Sequence, residues 1–293
     1  MAVITVDGLG KTYPGGTKAL EDVSFTIDKG EIFCLLGRNG AGKTTLLRIL
    51  ATQLKPTVGR ASVLGHDVLS DPKSIRPHIA VVPQEARPQM LLSAYDHIYY
   101  MCLIRGRSRQ DARNRTRKVM DDLGLWEHRA KLNAELSGGL RQRVIIAMAM
   151  VADPEVFFLD EPTIGLDPLG RRDVWAMLRD MTKRGTTILL TTHYLDEAEM
   201  LADHLLIVDK GRTAFLGTVD EAKGDTGIGM RVIVEPASGN GAEREVLVPQ
   251  SDEEILAIVE RGLREKRKVT FKPASLEEAF IKIVGGSIES EDT

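Results

Sequence analysis

The chain has 293 residues, which suits one large domain, or one domain with a small appendage. Its formal net charge is -3, with 28% charged and 43% hydrophobic residues, so it reads as globular protein without the global basic field that would hold nucleic acid. Two distant cysteines, Cys34 and Cys102, exclude a disulfide framework and fit a reducing cytoplasm.

The opening stretch Met1 to Asp7 has no basic segment followed by an apolar one, so no secretion signal is expected. Short strands are predicted at Val3 to Val6, Val23 to Ile27, Ile32 to Leu36 and Ala61 to Leu64, with Gly, Pro and Asp between them. Ile32 to Leu36 is apolar throughout, as a strand buried on both faces should be, and Cys34 within it reads as a small buried hydrophobe.

Directly after that strand, Gly37-Arg38-Asn39-Gly40-Ala41-Gly42-Lys43-Thr44 fits the phosphate-loop pattern G-x-x-x-x-G-K-[ST]. A helix opens near Lys43, with Leu46, Leu47 and Leu50 recurring on one side. Glycines here let the backbone approach phosphate and aim its N–H groups inward, and the helix start adds partial positive charge. Lys43 is expected to reach the β- and γ-phosphates, and the Thr44 hydroxyl to ligate Mg²⁺.

A further apolar strand is predicted at Ile79 to Val82. Residues 91–152 then carry almost no strand signal and read as a helical insertion, with helices near Ala94 to Ile104, Arg109 to Leu123 and Gly139 to Val151. Tyr95, Tyr99 and Tyr100 are assigned to the core of this insertion, with a docking stripe as the alternative. The basic run Arg105, Arg107, Arg109, Arg113, Arg115, Arg117 and Lys118 fits a solvated helix face, with contact to anionic lipid or a membrane partner as the alternative. The longest apolar region, Val144 to Leu159, is broken by Asp153-Pro154-Glu155 and falls short of the about 20 apolar residues a spanning helix needs.

The run Val156 to Leu159 is another buried strand, and it ends in Asp160 and Glu161. Ligands of open α/β sheets bind outside the carboxyl ends of strands. That places Asp160 to hold Mg²⁺, through waters, and Glu161 to polarise an attacking water as general base. Two more strands, Thr187 to Leu190 and Leu205 to Val208, complete a parallel α/β core. Guanine specificity is disfavoured, because Thr182-Lys183-Arg184-Gly185 does not satisfy [NT]-K-x-D.

One segment narrows the class. Leu136-Ser137-Gly138-Gly139 stands at a helix start about 20 residues before the carboxylate strand, and it resembles the signature of ATP-binding cassette (ABC) ATPases. Other elements similar to that family follow in order over residues 3–218. Tyr13 matches the aromatic that stacks on adenine, and Gln84 matches the glutamine near Mg²⁺ and the attacking water. Gly165-Leu166-Asp167-Pro168 resembles the D-loop, and His193 matches the switch histidine of the γ-phosphate.

The resemblance implies a P-loop NTPase core with a mixed parallel sheet, an antiparallel β subdomain and the helical insertion. Its implied nucleotide contacts are Tyr13, Gly37, Asn39, Gly40, Gly42, Lys43, Thr44 and Thr45, with Ser137, Gly138 and Gly139 from a second copy. The implied metal ligands are Thr44, Gln84 and Asp160, and the implied catalytic groups are Glu161, His193 and Gln84. ATP and Mg²⁺ are the implied cofactors. The implied partners are multi-span permease subunits and a second ATP-binding subunit, paired head to tail at the cytoplasmic face of the membrane. No nucleic acid is expected. A soluble non-transport ABC ATPase and a regulatory nucleotide-binding module are the alternatives.

After residue 218 the composition changes. Strands are predicted at Arg231 to Glu235 and Glu245 to Val248, and capping boxes at Ser251/Glu254 and Ser275/Glu278. Residues 219–286 are therefore expected to form a small α/β appendage, and 287–293 a disordered tail. The ending Pro273-Ala274-Ser275-Leu276-Glu277-Glu278-Ala279-Phe280 resembles that of daunorubicin-resistance-type ABC-2 subunits, which implies export of a drug-like, lipid or polysaccharide cargo.

Overall fold

Strands buried on every residue set the centre of the structure. In the computed structural model, which describes residues 2–225, 231–235, 245–247, 252–272 and 275–285, β3 (Ile32–Leu36), β7 (Val156–Asp160) and β8 (Thr187–Thr192) have no exposed position. Each large apolar side chain removed from water there contributes about 1.5–3 kcal/mol. With β6 (Ile79–Val82), β9 (His204–Asp209) and β10 (Arg212–Gly217) they form one sheet in the order β10-β9-β3-β8-β7-β6, parallel from β9 to β6.

Beside it lies a smaller sheet, in the order β2-β1-β4-β5, with each neighbouring pair antiparallel. It is built from β1 (Ala2–Thr12), β2 (Lys18–Asp28), β4 (Val58–Val63) and β5 (His66–Asp67). Its inward residues Ile4, Leu9, Phe25 and Ile27 pack with Leu46, Leu47 and Leu50 of α1 (Lys43–Leu50) and with Phe33 and Phe158. The Phe25 and Phe33 rings stack at 5.0 Å. β1 and β2 run longer than their apolar runs predict. β1 continues through Gly8 and Gly10, with register shifts against both neighbours that break the alternation a sequence reading relies on.

The helical insertion comprises α3 (Ala94–Ile104), α4 (Arg109–Asp122) and α5 (Gly138–Met150), while a short α2 (Pro72–Ile75) precedes β6. Ser93, Ser108 and Ser137 cap the three helices, each accepting from the backbone N–H three residues on. Ile98, Cys102, Met120, Leu136, Val144 and Ala147 make a separate buried core. Tyr95 and Tyr99 pack against it, whereas Tyr100 stays 46% exposed, so the expectation for that tyrosine is corrected. The helices α6 (Pro168–Lys183) and α7 (Leu195–Leu201) flank β8.

Chain contacts divide at Leu216/Gly217. In the second unit β11 (Arg231–Glu235) pairs with β12 (Glu245–Leu247) and β13 (Lys268–Lys272), both antiparallel. α9 (Asp252–Arg264) packs on β13 and β11, and α8 (Val219–Asp225) contacts α10 (Leu276–Val284). The Ser275/Glu278 capping box is formed. The Ser251 half of the other box, Val248, Pro273, Ala274 and the tail 287–293 lie outside the described residues.

Candidate nucleotide-hydrolysis site

The phosphate-loop residues, from Gly37 onward, leave β3 and run into α1. Two of the loop's three glycines, Gly37 and Gly42, are required by close approach. A Cβ on Gly37 would stand 2.4 Å from the Val208 carbonyl oxygen, and one on Gly42 would stand 2.5 Å from that of Ala19. Gly42 also has φ +111°, a conformation that side chains rarely adopt. It is the N-cap of α1, with no side-chain cap, so the first backbone N–H groups of that helix keep their capacity for an anion. Gly42→Ala is expected to cost about 1–3 kcal/mol through backbone strain and to disrupt nucleotide binding. Urea unfolding and a binding titration check the two effects.

Lys43 is buried, and its ammonium donates to the carbonyls of Gly37 at 2.6 Å and Arg38 at 3.2 Å. It lies 3.8 Å from Glu161. Burial lowers its pKa, against the opposing pull of Glu161 and Asp160. Thr44 donates to Asp160 Oδ1 at 3.1 Å, and Thr191 donates to the same oxygen at 2.6 Å. The hydroxyls of Thr45 and Tyr13 lie 3.2 Å apart, which ties the turn after β1 to α1. Asn39 and Gly40 are exposed on the loop.

Glu161 follows β7 with φ +50°, unusual for a non-glycine residue. Its N–H holds that geometry by bonding both the carbonyl and the hydroxyl oxygen of Thr191 at 3.1 Å. One carboxylate oxygen accepts from Gln84 Nε2 at 3.1 Å. The other lies 3.2 Å from His193 Nδ1, an ion pair when the imidazole is protonated. His193 lowers the Glu161 pKa most, burial opposes the shift, and Lys43 adds to it. The carboxyl therefore stays ionised at neutral pH.

Gln84, Lys43, Thr44, Asp160, Glu161 and His193 thus converge at the carboxyl ends of β6, β3, β7 and β8. A hydroxyl and a carboxylate are hard oxygen donors of the kind Mg²⁺ takes beside substrate phosphates, and Gln84 offers a carbonyl nearby. The described residues contain no cluster of three or more His, Cys, Asp or Glu that could hold a metal.

Ser137, Gly138 and Gly139 are not part of this cluster. Ser137 is exposed and caps α5, and no hydrogen bond among the described residues joins it to the phosphate loop. A Cβ on Gly139 would meet Gly170 Cα, at the start of α6, at 3.5 Å, an ordinary van der Waals contact. Asp167 caps α6 by accepting from Gly170 N–H at 3.0 Å.

Glu197 was not legible as a site residue. Its side chain is fully buried in α7, and its Oε1 accepts from the Thr163 hydroxyl at 2.9 Å and from Trp175 Nε1 at 3.1 Å. It links the segment after Glu161 to the helix after His193. The pattern His-x-x-x-Glu ahead of an alanine gave no chemical reason to single it out. Burial raises its pKa above 4.5. A raised carboxyl pKa stabilises the fold below its unfolded value, and that contribution is lost as pH rises through the folded value. Glu197→Gln keeps the acceptor without the charge, so it should flatten the fall in stability above pH 4.5, read from urea unfolding across pH.

The sequence pattern of the ABC transporter family matches residues 20–164. The daunorubicin/doxorubicin resistance ATP-binding protein DrrA of Streptomyces peucetius is 36% identical, over 99% of this chain and 94% of its own. CbiO1 of Clostridium perfringens, part of the ABC transporter complex CbiONQ, superimposes with a TM-score of 0.71 at 30% identity, over 76% of this chain and 91% of its own. The cassette MJ0796, in a dimeric post-hydrolysis state bound to ADP and Pi, gives 0.65 at 25% identity, over 73% of this chain and 98% of its own. No helix among the described residues is long and apolar enough to cross a membrane. The chain belongs to the ATP-binding subunits of ABC transporters, a family of ATPases that couple hydrolysis to transport.

Proposed function

We propose that this subunit hydrolyses ATP to drive export through separate multi-span membrane subunits, on whose cytoplasmic face it sits. The carrying observation is the position of the Glu161 carboxylate, 3.1 Å from Gln84, 3.2 Å from His193 and 3.8 Å from Lys43. In this reading the backbone N–H groups of the loop, with Gly37, Asn39, Gly40 and Gly42, wrap the phosphates, and Tyr13 stacks on the adenine. Thr45 flanks the loop. Lys43 neutralises charge on the β- and γ-phosphates as it develops.

Thr44 and Asp160 would hold Mg²⁺, with Gln84 beside them. When bound, the ion would supply charge neutralisation to the phosphates. Glu161 and Gln84 orient the attacking water, with Glu161 as proton acceptor, and His193 contacts the γ-phosphate. Water activation by a weak base works here through position more than through proton affinity, since the Glu161 pKa is low rather than raised.

The signature Ser137 of one copy would reach the nucleotide of another in a two-fold, head-to-tail pair. Its exposure, and its lack of a bond to its own chain's phosphate loop, support that arrangement. The cargo is inferred to be drug-like, lipid or polysaccharide from the C-terminal resemblance, and the likeness to DrrA favours the drug-like class. The test is ATP turnover by the purified chain with Mg²⁺ and with chelator, together with isolation of the complex from membranes. Mg²⁺-dependent turnover and co-purification of a multi-span protein are expected. Nucleotide binding without turnover, in the isolated chain and the complex alike, would point instead to a regulatory module.

A further inference from the structure

We propose that the α3–α4 face of the helical insertion is a membrane-contact surface that binds anionic lipid head groups. The inference rests on the reading of this chain as a transporter subunit, and it adds a second ligand far from the phosphate loop in sequence. Residues 105–118 hold seven Arg or Lys and one Asp, in a chain whose net charge is -3. Seven of the chain's 39 Lys and Arg therefore fall in this one short segment, with a single acid among them.

Local pairing sharpens this. Asp111 is held by Arg115 at 3.1 Å and by Arg107 at 3.9 Å, and Asp121 is held by Arg117 at 2.5 Å. Arg105, Arg109 and Arg113 are exposed and make no ion pair among the described residues. Arg109, Arg113 and Arg117 are spaced by four, so they form one stripe along α4.

The neighbouring surface is aromatic. Arg117 lies 3.6 Å over the Trp126 ring, Trp126 meets Tyr95 edge-on at 6.4 Å, and Tyr95 stacks on Tyr99 at 5.8 Å. Tyr99 meets Tyr100, also at 5.8 Å. Tyr100 is 46% exposed, and Ile104, one turn further along α3, is 77% exposed. Tyr100 and Ile104 are two exposed apolar side chains one turn apart on the same helix, and the chain turns from Ile104 straight into the basic segment. Head-group surfaces take this combination, with cations on phosphate and amphipathic rings at the interface. The apolar pair also favours lipid over nucleic acid, which would be held by charge and ring stacking alone.

The test is co-sedimentation of the purified full chain with vesicles of mixed phosphatidylglycerol and phosphatidylcholine, and with phosphatidylcholine alone. The chain should pellet with the anionic vesicles only, and should release in about 1 M salt, where charge is screened beyond about 3 Å. The triple variant Arg105→Glu/Arg109→Glu/Arg113→Glu should partition at least tenfold less. Tyr100→Ala/Ile104→Ala should partition several-fold less with the charge intact. ATP turnover, retained in both variants, reports that they fold.

A turnover-competent chain that ignores anionic vesicles would overturn the proposal and leave the ATPase reading standing. So would a triple variant that pellets like the parent. Displacement from vesicles by a stoichiometric single-stranded oligonucleotide would reassign the face to nucleic acid. Loss of the membrane subunit from the triple variant, with vesicle binding unchanged, would reassign it to protein docking.

Discussion

Glu161→Gln is expected to slow ATP turnover by about 10²-fold or more, at least about 2.7 kcal/mol of barrier. The amide cannot accept the proton of the attacking water, and it loses its charge interaction with Lys43. Nucleotide affinity should survive, because the phosphate loop keeps its glycines and Lys43. ATP-bound pairs should therefore accumulate, visible as a larger species on size exclusion with ATP and Mg²⁺. Steady-state phosphate release measures the first effect. Turnover equal to the parent's would remove Glu161 from the chemistry.

Lys43→Ala should weaken ATP binding by at least about 10²-fold. Two charge-assisted hydrogen bonds to phosphate, each worth about 1.5–3 kcal/mol, are lost together. A titration with fluorescent ATP analogue reads the change directly. The same substitution removes a cation 3.8 Å from Glu161, so that carboxyl loses one of the groups that hold its pKa down. The two variants then separate cleanly, since one binds without cleaving and the other fails to bind. Undiminished affinity in Lys43→Ala would mean that the loop is not the phosphate cradle.

Much of this site can be read along the chain because its parts are local. The phosphate loop is eight consecutive residues, and the strand that delivers it, Ile32–Leu36, has the bounds its apolar run predicts. The same holds for Ile79–Val82 and for α3. What escaped the sequence is long-range. Thr191 bonds Asp160 and the backbone of Glu161 only because β8 lies between β3 and β7, and nothing near residue 191 announces that order. Glu197 joins Thr163 across 34 positions for the same reason. Strands β5, β10 and β13 were missed because they are short or carry polar and charged residues without a long apolar run. The full lengths of β1 and β2 were hidden by glycines and register shifts.

The strand order has a mechanical consequence. β3, β8, β7 and β6 are immediate neighbours, and each delivers one or two working groups at its carboxyl end. Backbone ladders fix adjacent strands about 4.8 Å apart, so the row spans about 14 Å and is stiff across its width. Such a row cannot lengthen under load. Any motion that separated Gln84 from Glu161 would be taken up in the segment after Val82, where Pro83 leads out of the sheet, rather than in the row itself.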